Sequence, residues 1–224
     1  MANEPNDVFK LARTAKGYRA RQRILRATAD ILGERGLDNV TVLAICERAD
    51  IGRTTLYNYF KDADEAIQAL MAEFADEIQE QFEQIHGGQP RGVKRLAYCL
   101  RFILERAWRD PVWGKLAVNL RAVGPQFDNY MIAQVGLEIE AGLENDEVNL
   151  SSPEASALPQ FIASVIADTL RKLSSKETQL KEITPIVLLT LRASGVETAF
   201  AGEAASQKVS RALFSRSWLV EPTS

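Results

Sequence analysis

A chain of 224 residues is longer than one usual domain and allows either a domain with a smaller companion or one large domain. Hydrophobic residues at 46% and charged residues at 25% are the balance of a soluble globular protein and exclude disordered, collagenous and membrane-embedded classes. The net charge of −3 hides an asymmetry: residues 1–62 hold 11 Lys and Arg against 8 Asp and Glu, and the remainder is acidic.

The first 18 residues read as a basic arm. Lys10, Arg13, Lys16, Arg19, Arg21, Arg23 and Arg26 come with no acid between Asp7 and Asp30, a pattern that suits phosphate binding or a solvated tail that aids solubility. From residue 19 to 35, Ile24, Leu25, Thr28, Ile31 and Leu32 recur at helical spacing, and Gly36 ends the helix. Thr41 suits the N-cap of a short second helix over 42–48, and Gly52 can cap a third over 53–60. The connection Ala49-Asp50-Ile51 has helix-turn-helix length. Asp62 and Glu65 form a capping-box-like start to a long fourth helix reaching about residue 85, which carries seven acids and no base. His86-Gly87-Gly88-Gln89-Pro90 breaks the chain. Proline and cap signals then predict helices near 91–109, 111–123, 126–145, 153–174, 177–199 and 202–215, with Pro159 and Pro185 marking kinks or later starts. No segment alternates as a strand does, so the fold class is all-α.

The segment 41–61, TVLAICERADIGRTTLYNYFK, carries a mechanism. Ile45, Ile51, Leu56 and Phe60 are spaced to pin two short helices against Ile24, Ile31 and Leu32, which turns Arg53, Thr54, Thr55, Tyr57, Asn58 and Tyr59 outward. Guanidinium and amide groups read base edges, while hydroxyls and helix N-termini meet phosphates. A small helical corner with a wet polar face is the plainer alternative.

At motif level, over about residues 19–70, the chain resembles the tetracycline-repressor-like (TetR) transcription regulators. The matching pieces are RQRILRATADILGERGLDNVTV, ADIGRTTLYNYF and the acidic helix that follows, with Thr55-Leu56-Tyr57 and Tyr59-Phe60 the most specific part. The resemblance implies that Thr41, Tyr57 and Tyr59 touch the DNA backbone and that Arg53, Thr54, Thr55 and Asn58 read bases. Asp50 stands where the family usually has Gly, Gly52 where it has a Ser cap, and Ala63 where a Lys commonly meets phosphate, a loss that Lys61 or the arm can offset. Asp tolerates the left-handed turn.

The resemblance also implies a three-helix DNA-binding domain over 19–62, a larger ligand-binding and dimerisation domain over 63–216 and a tail over 217–224. Within the larger part, Tyr98, Phe102, Trp108, Trp113, Phe127, Tyr130, Met131 and Phe161 form a set of large groups that could wall a small-molecule pocket, with Glu105, Arg106, Asn119 and Gln134 as its polar groups. Each of them taken singly is more often an ordinary core residue, so only the set points to a pocket. Val165, Ile166, Leu170, Ile186 and Leu189, with Phe161 and Leu191, are expected at a dimer interface.

The expected function is a sequence-specific transcription repressor that binds a palindromic operator as a homodimer and is released by a small apolar or amphipathic ligand. The alternatives are a helical protein-interaction adaptor and a DNA-binding activator without a ligand. With one histidine and no nucleophile–base constellation, no enzyme, cofactor or metal is expected. Cys46 and Cys99 alone make no disulfide scaffold, and with the uncharged stretch 155–167 too short to span a bilayer and no apolar leader, a cytoplasmic location is expected.

Overall fold

The computed structural model describes residues 15–86, 89–123 and 125–214. Among them ten α-helices account for most of the chain: α1 Ala15–Arg35, α2 Val42–Ala49, α3 Arg53–Tyr57, α4 Ala63–His86, α5 Val93–Arg109, α6 Pro111–Val123, α7 Pro125–Glu144, α8 Ser152–Ser174, α9 Ile183–Ala193 and α10 Thr198–Ala205. Three single turns of 3₁₀-helix join or follow them, and the one β-type pairing among the described residues is an isolated antiparallel bridge between Val148 and Val196. No helix among the described residues is long and apolar enough to cross a membrane.

The chain divides into two compact units, the first ending at Asp76 and the second beginning at Glu77. The first turns of α4 therefore go with the N-terminal unit, whereas the sequence reading gave everything from residue 63 to the larger domain. In the first unit α1 packs on α2 and α2 on α3. Ile24, Leu25, Ile31, Leu32, Ile45 and Leu56 are fully enclosed, and Phe60, Ala66 and Leu70 join them.

In the second unit α5 is central, packing against α6, α7, α8, α9 and α10, while α8 also covers α6 and α7. Small residues set how close these helices come: a Cβ on Gly114 of α6 would lie 2.9 Å from the Cβ of Ser174 and 3.0 Å from that of Ala107. Pro159 lies inside α8, and Pro185 falls in the first turn of α9.

Two expected helices are redrawn. The span 177–199 opens with a 3₁₀ turn at Leu180–Glu182 and a Gln179/Glu182 capping box, and its helix runs only from Ile183 to Ala193. Gly195 then takes φ +74°, and a Cβ there would lie 2.5 Å from the Asn149 carbonyl, so the helix must stop at this point. The Glu197 carboxylate accepts from the backbone N–H groups of Ala199 and Phe200 and starts α10, which ends at Ala205, well short of the expected 215.

Candidate nucleic-acid interface and inner cavity

The local chemistry of residues 41–61 builds the first site. Thr41 caps α2, its Oγ accepting from the Ala44 N–H at 3.2 Å. Asp50 closes α2 in the left-handed conformation (φ 50°, ψ 58°), the role expected where the family usually has Gly. Arg23 of α1 donates to the carbonyls of Ala49 and Asp50, tying this turn to the first helix. Gly52 precedes α3 in extended conformation with no side-chain cap, so the first turn of α3 has backbone N–H groups without a capping oxygen. Arg53, Thr54 and Tyr57 are exposed and Thr55 and Asn58 half-exposed, while Leu56 is fully buried.

Tyr59 departs from the expected outward face. It is 8% exposed, and it sits beside buried Phe60 past the end of α3, where the helical phase that points Tyr57 outward no longer holds. Lys61 is exposed at 3.8 Å from the Asp62 carboxylate. Beyond it, Glu65 donates its N–H to Asp62 Oδ1 at 2.8 Å and accepts from the Lys61 N–H at 2.6 Å, a reciprocal start to α4 close to the expected capping box.

The basic arm is also revised. Lys10 and Arg13 lie outside the described residues. Arg21 pairs with Glu73 and stands 5.6 Å over the Phe60 ring, and Arg23 is committed to the α2 carbonyls. These two cations hold the unit together, Arg26 is half-buried near Asp30, and Lys16 and Arg19 are exposed. Arg48, paired with Asp30 at 3.4 Å and Glu34 at 2.6 Å, binds α2 to α1 in the same way.

The second site lies inside the C-terminal unit. Ile78, Leu100, Ile103, Trp113, Ala117, Met131, Val135, Ile162, Ala163, Ile166 and Leu170 enclose an apolar cavity of only about 40 Å³. A smaller space of about 20 Å³ adjoins it, sharing Leu100, Ile103, Met131 and Val135 and adding Phe82, Leu96, Cys99, Gln134 and Glu138. Together they form a narrow slot bordered by α4, α5, α6, α7 and α8.

The expected pocket residues divide. Trp113 and Met131 wall the cavity. Phe102 lies one residue round α5 from Ile103 and stacks instead on Phe214, at 5.6 Å between centroids. Tyr98 accepts the Ser210 N–H at its hydroxyl, and Trp108 carries Lys176 Nζ 4.5 Å over its ring. Tyr130 is half-buried, and burial followed by the Glu83 carboxylate pushes its phenol up. Phe161 is 48% exposed and faces away from the slot; the Phe127 side chain lies outside the described residues. The walls are mostly aliphatic and alanine, a signal that periodicity gives only as generic core.

One buried ion pair borders the slot through Glu138, and a second lies deep in the unit without lining it. Glu138, 4% exposed, takes both Arg95 Nε at 2.9 Å and Arg95 Nη2 at 2.5 Å, and also accepts from the Gly92 N–H at 3.0 Å. Arg106, 2% exposed, reaches Glu77 at 3.4 Å, and its Nε and Nη1 have no hydrogen-bond partner. Burial pulls the Arg106 guanidinium below its ordinary range, opposed by Glu77 and Asp110. Glu105, expected beside it as a pocket group, is instead spent on Arg101 at 2.9 Å and Arg109 at 3.3 Å.

The expected dimer residues also divide, because α8 has two faces. Ile166 and Leu170 turn into the inner cavity. Phe161, Val165, Ile186 and Leu189 line an open groove of about 570 Å³ between α8 and α9, where Leu189 is 61% exposed.

Known proteins resemble the chain in two ways. Residues 24–70 match the model of bacterial regulatory proteins of the tetR family. The HTH-type transcriptional repressor KstR of Rhodococcus jostii (strain RHA1) is 30% identical over 92 residues, which are 41% of this chain and 42% of that protein. The chain thus matches well under half the length of this curated relative. Similar solved structures extend over more of the chain. RolR in complex with the ligand resorcinol superposes with a TM-score of 0.62 at 22% identity, covering 87% of this chain and 96% of that one. A gamma-butyrolactone receptor (ArpA-like protein) gives 0.68 at 14% identity, covering 84% and 96%. A TetR-like transcriptional regulator from Rhodococcus sp. RHA1 gives 0.62 at 15% identity, covering 78% and 93%. At these identities the structural likeness establishes the fold. Over residues 24–70, the helix-turn-helix segment, the chain is similar to the tetR family of bacterial regulatory proteins, and over most of its length it shares the all-helical fold of these solved structures.

Proposed function

We propose that the chain is a transcription repressor that binds a palindromic operator as a homodimer and is released by a small molecule. The observation that carries this reading is the two-sided α3: Leu56 is fully enclosed while Arg53, Thr54 and Tyr57 project into solvent from a helix only five residues long. Thr55 and Asn58 flank that face as further base readers, and Thr41, Lys61 and the hydroxyl of Tyr57 supply phosphate contacts. Tyr59, largely covered, contributes to DNA binding through the position it gives Tyr57 and Phe60.

Dimerisation is assigned to the α8–α9 groove, where Phe161 and Leu189 expose apolar surface to be covered by the same groove of a second copy. A ligand for the inner slot is supported by the resorcinol complex of RolR and by the name of the butyrolactone receptor, both of which share the fold. The slot as it stands is far below the several hundred Å³ that ligand pockets usually offer. Ligand entry must therefore move its walls, among them Ile78 of α4. α4 is one unbroken helix from Ala63, directly behind the recognition segment, to His86, and provides the route for coupling. The coupling is reciprocal, so operator binding weakens ligand binding by the same factor.

Selection of bound fragments from a random duplex library tests the reading. Enrichment of an inverted repeat is the expected result. Equal recovery of all sequences, with binding that vanishes at near-physiological salt, would overturn it in favour of adventitious phosphate contact by the basic residues.

A further inference from the structure

The two inner spaces of the C-terminal unit present apolar surface on every side. Leu100, Ile103, Trp113 and Ile162 are among the walls of the larger one, and no polar atom reaches its surface. Gln134 and Glu138 border the smaller one, yet both turn carbon rather than their polar ends toward it. A water in either space would lack the polar partners it needs, so the slot is dry.

The nearest charge is already spent. The Glu138 carboxylate accepts from Arg95 Nε at 2.9 Å, Arg95 Nη2 at 2.5 Å, the Gly92 N–H at 3.0 Å and Arg91 Nη1 at 3.3 Å, which fills its acceptor sites. It has no need of a donor from the slot. A hydroxyl placed between these walls therefore gives up its bonds to water and finds none in return.

The two spaces meet at a side chain that can yield. Met131 of α7 faces both, together with Leu100, Ile103 and Val135. An unbranched thioether with three rotatable bonds is well suited to fill such a gap and to leave it. Its retreat would make one elongated cavity out of voids of about 40 and 20 Å³.

We propose that the ligand of this slot is an uncharged, hydrocarbon-like molecule held by its apolar shape, with no polar group recognised, and that Met131 is the side chain it displaces. This rests on the reading of the slot as a ligand site and names the ligand's chemical class.

The test uses the full chain and three probes of one shape that differ in their hydroxyls: m-xylene, m-cresol and resorcinol. Thermal shift and calorimetric titration read binding, and anisotropy on the selected duplex reads operator release. The wild type is expected to bind m-xylene, to bind m-cresol about tenfold or more weaker and resorcinol weaker again, with release in the same order. Ala117→Val, which fills the larger space, should lose most of its affinity for m-xylene. Met131→Ala, which joins the spaces, should bind the longer butylbenzene several-fold tighter than the wild type does. Met131→Ile, bulky but stiff at its branch, should bind butylbenzene more weakly, and it carries the comparison if the Ala variant does not fold. Binding of m-cresol or resorcinol as tight as that of m-xylene overturns the proposal. So do m-xylene affinity that survives in Ala117→Val, butylbenzene affinity indifferent to residue 131, release in the opposite order, or no binding of m-xylene at its solubility limit. Operator selection distinguishes the failures: sequence-specific DNA binding without the apolar preference defeats this inference alone, whereas loss of sequence specificity defeats the regulator reading itself.

Discussion

Filling the inner cavity should stabilise the protein and abolish its response to ligand in a single substitution. Ala117 of α6 lies on the cavity wall and is 1% exposed. Replacing it with Val places two further carbons in that space. At about 0.8 kcal/mol per buried CH₂ this contributes about 1.6 kcal/mol, from which about 0.6 kcal/mol is lost because a β-branched residue suits a helix less well than Ala. The cavity volume gives an independent figure. A void of about 40 Å³ at 24 cal/mol per Å³ corresponds to about 1 kcal/mol. The two routes agree on a gain of about 1 kcal/mol, or a rise of roughly 2–4 °C in Tm for a chain of this size. Differential scanning calorimetry reads the stability, and an operator-release titration with a ligand that works on the wild type reads the response. Ala117→Val should melt higher, bind operator normally and resist release. A loss of more than about 1 kcal/mol would mean that Val overpacks a site that is already full, refuting the cavity and the argument built on it.

Other consequences follow from the charged and apolar groups around the slot. Burial and then the Glu138 carboxylate push the Cys99 thiol up to about 12 from its ordinary 9.0, with Arg95 opposing. Because the folded value is the raised one, Cys99 costs nothing below pH 9 and removes stability as pH climbs from 9 toward 12, at about 1.4 kcal/mol per pH unit. Urea titrations should show this alkaline loss reduced in Cys99→Ala, and an unchanged slope would refute it. Glu138→Leu strands Arg95 without its bidentate partner and should cost about 3–5 kcal/mol, most of it recovered in Arg95→Met/Glu138→Leu; a double variant no more stable than the single would contradict the pairing. Leu189→Glu places a charge at the centre of the exposed α8–α9 groove and should shift sedimentation from dimer to monomer with little change in the helical spectrum, whereas an unchanged dimer would move the interface elsewhere.

The N-terminal unit was readable because its signals are local. Thr41 as N-cap, Asp50 as the left-handed stop and the Asp62–Glu65 start each involve residues within a few positions of one another, and each forms in the structure. Tyr59 failed because helical spacing was carried past Tyr57, where the chain has already left the helix to bury an aromatic pair. Arg21 and Arg23 failed for a different reason. Charge counting cannot see that Glu73, 52 residues away from Arg21, and the carbonyls of Ala49 and Asp50 come to meet these cations.

In the C-terminal unit the helices were legible, but their faces were not. The cavity is walled by Ile, Leu, Val and Ala that any core would contain, and the eye-catching aromatics Tyr98, Phe102 and Trp108 are engaged elsewhere. On α8, Ile166 and Leu170 face inward while Val165 and Phe161 face the groove, a division decided by which helices pack on each side. Gly195 was a visible stop signal inside an otherwise helical pattern, and its φ of +74° shows what it was there to do.

The central claim is that α3 reads DNA sequence, and the most direct measurement is fluorescence anisotropy of wild type and Arg53→Ala on the selected duplex and on a scrambled one, across a salt series. The wild type should prefer its own site by about 10³-fold or more. Arg53→Ala should forfeit about 1–3 kcal/mol of that preference while its affinity for the scrambled duplex and its salt slope stay close to those of the wild type. Equal affinity of the wild type for both duplexes, or a preference untouched by removal of Arg53, would contradict the account.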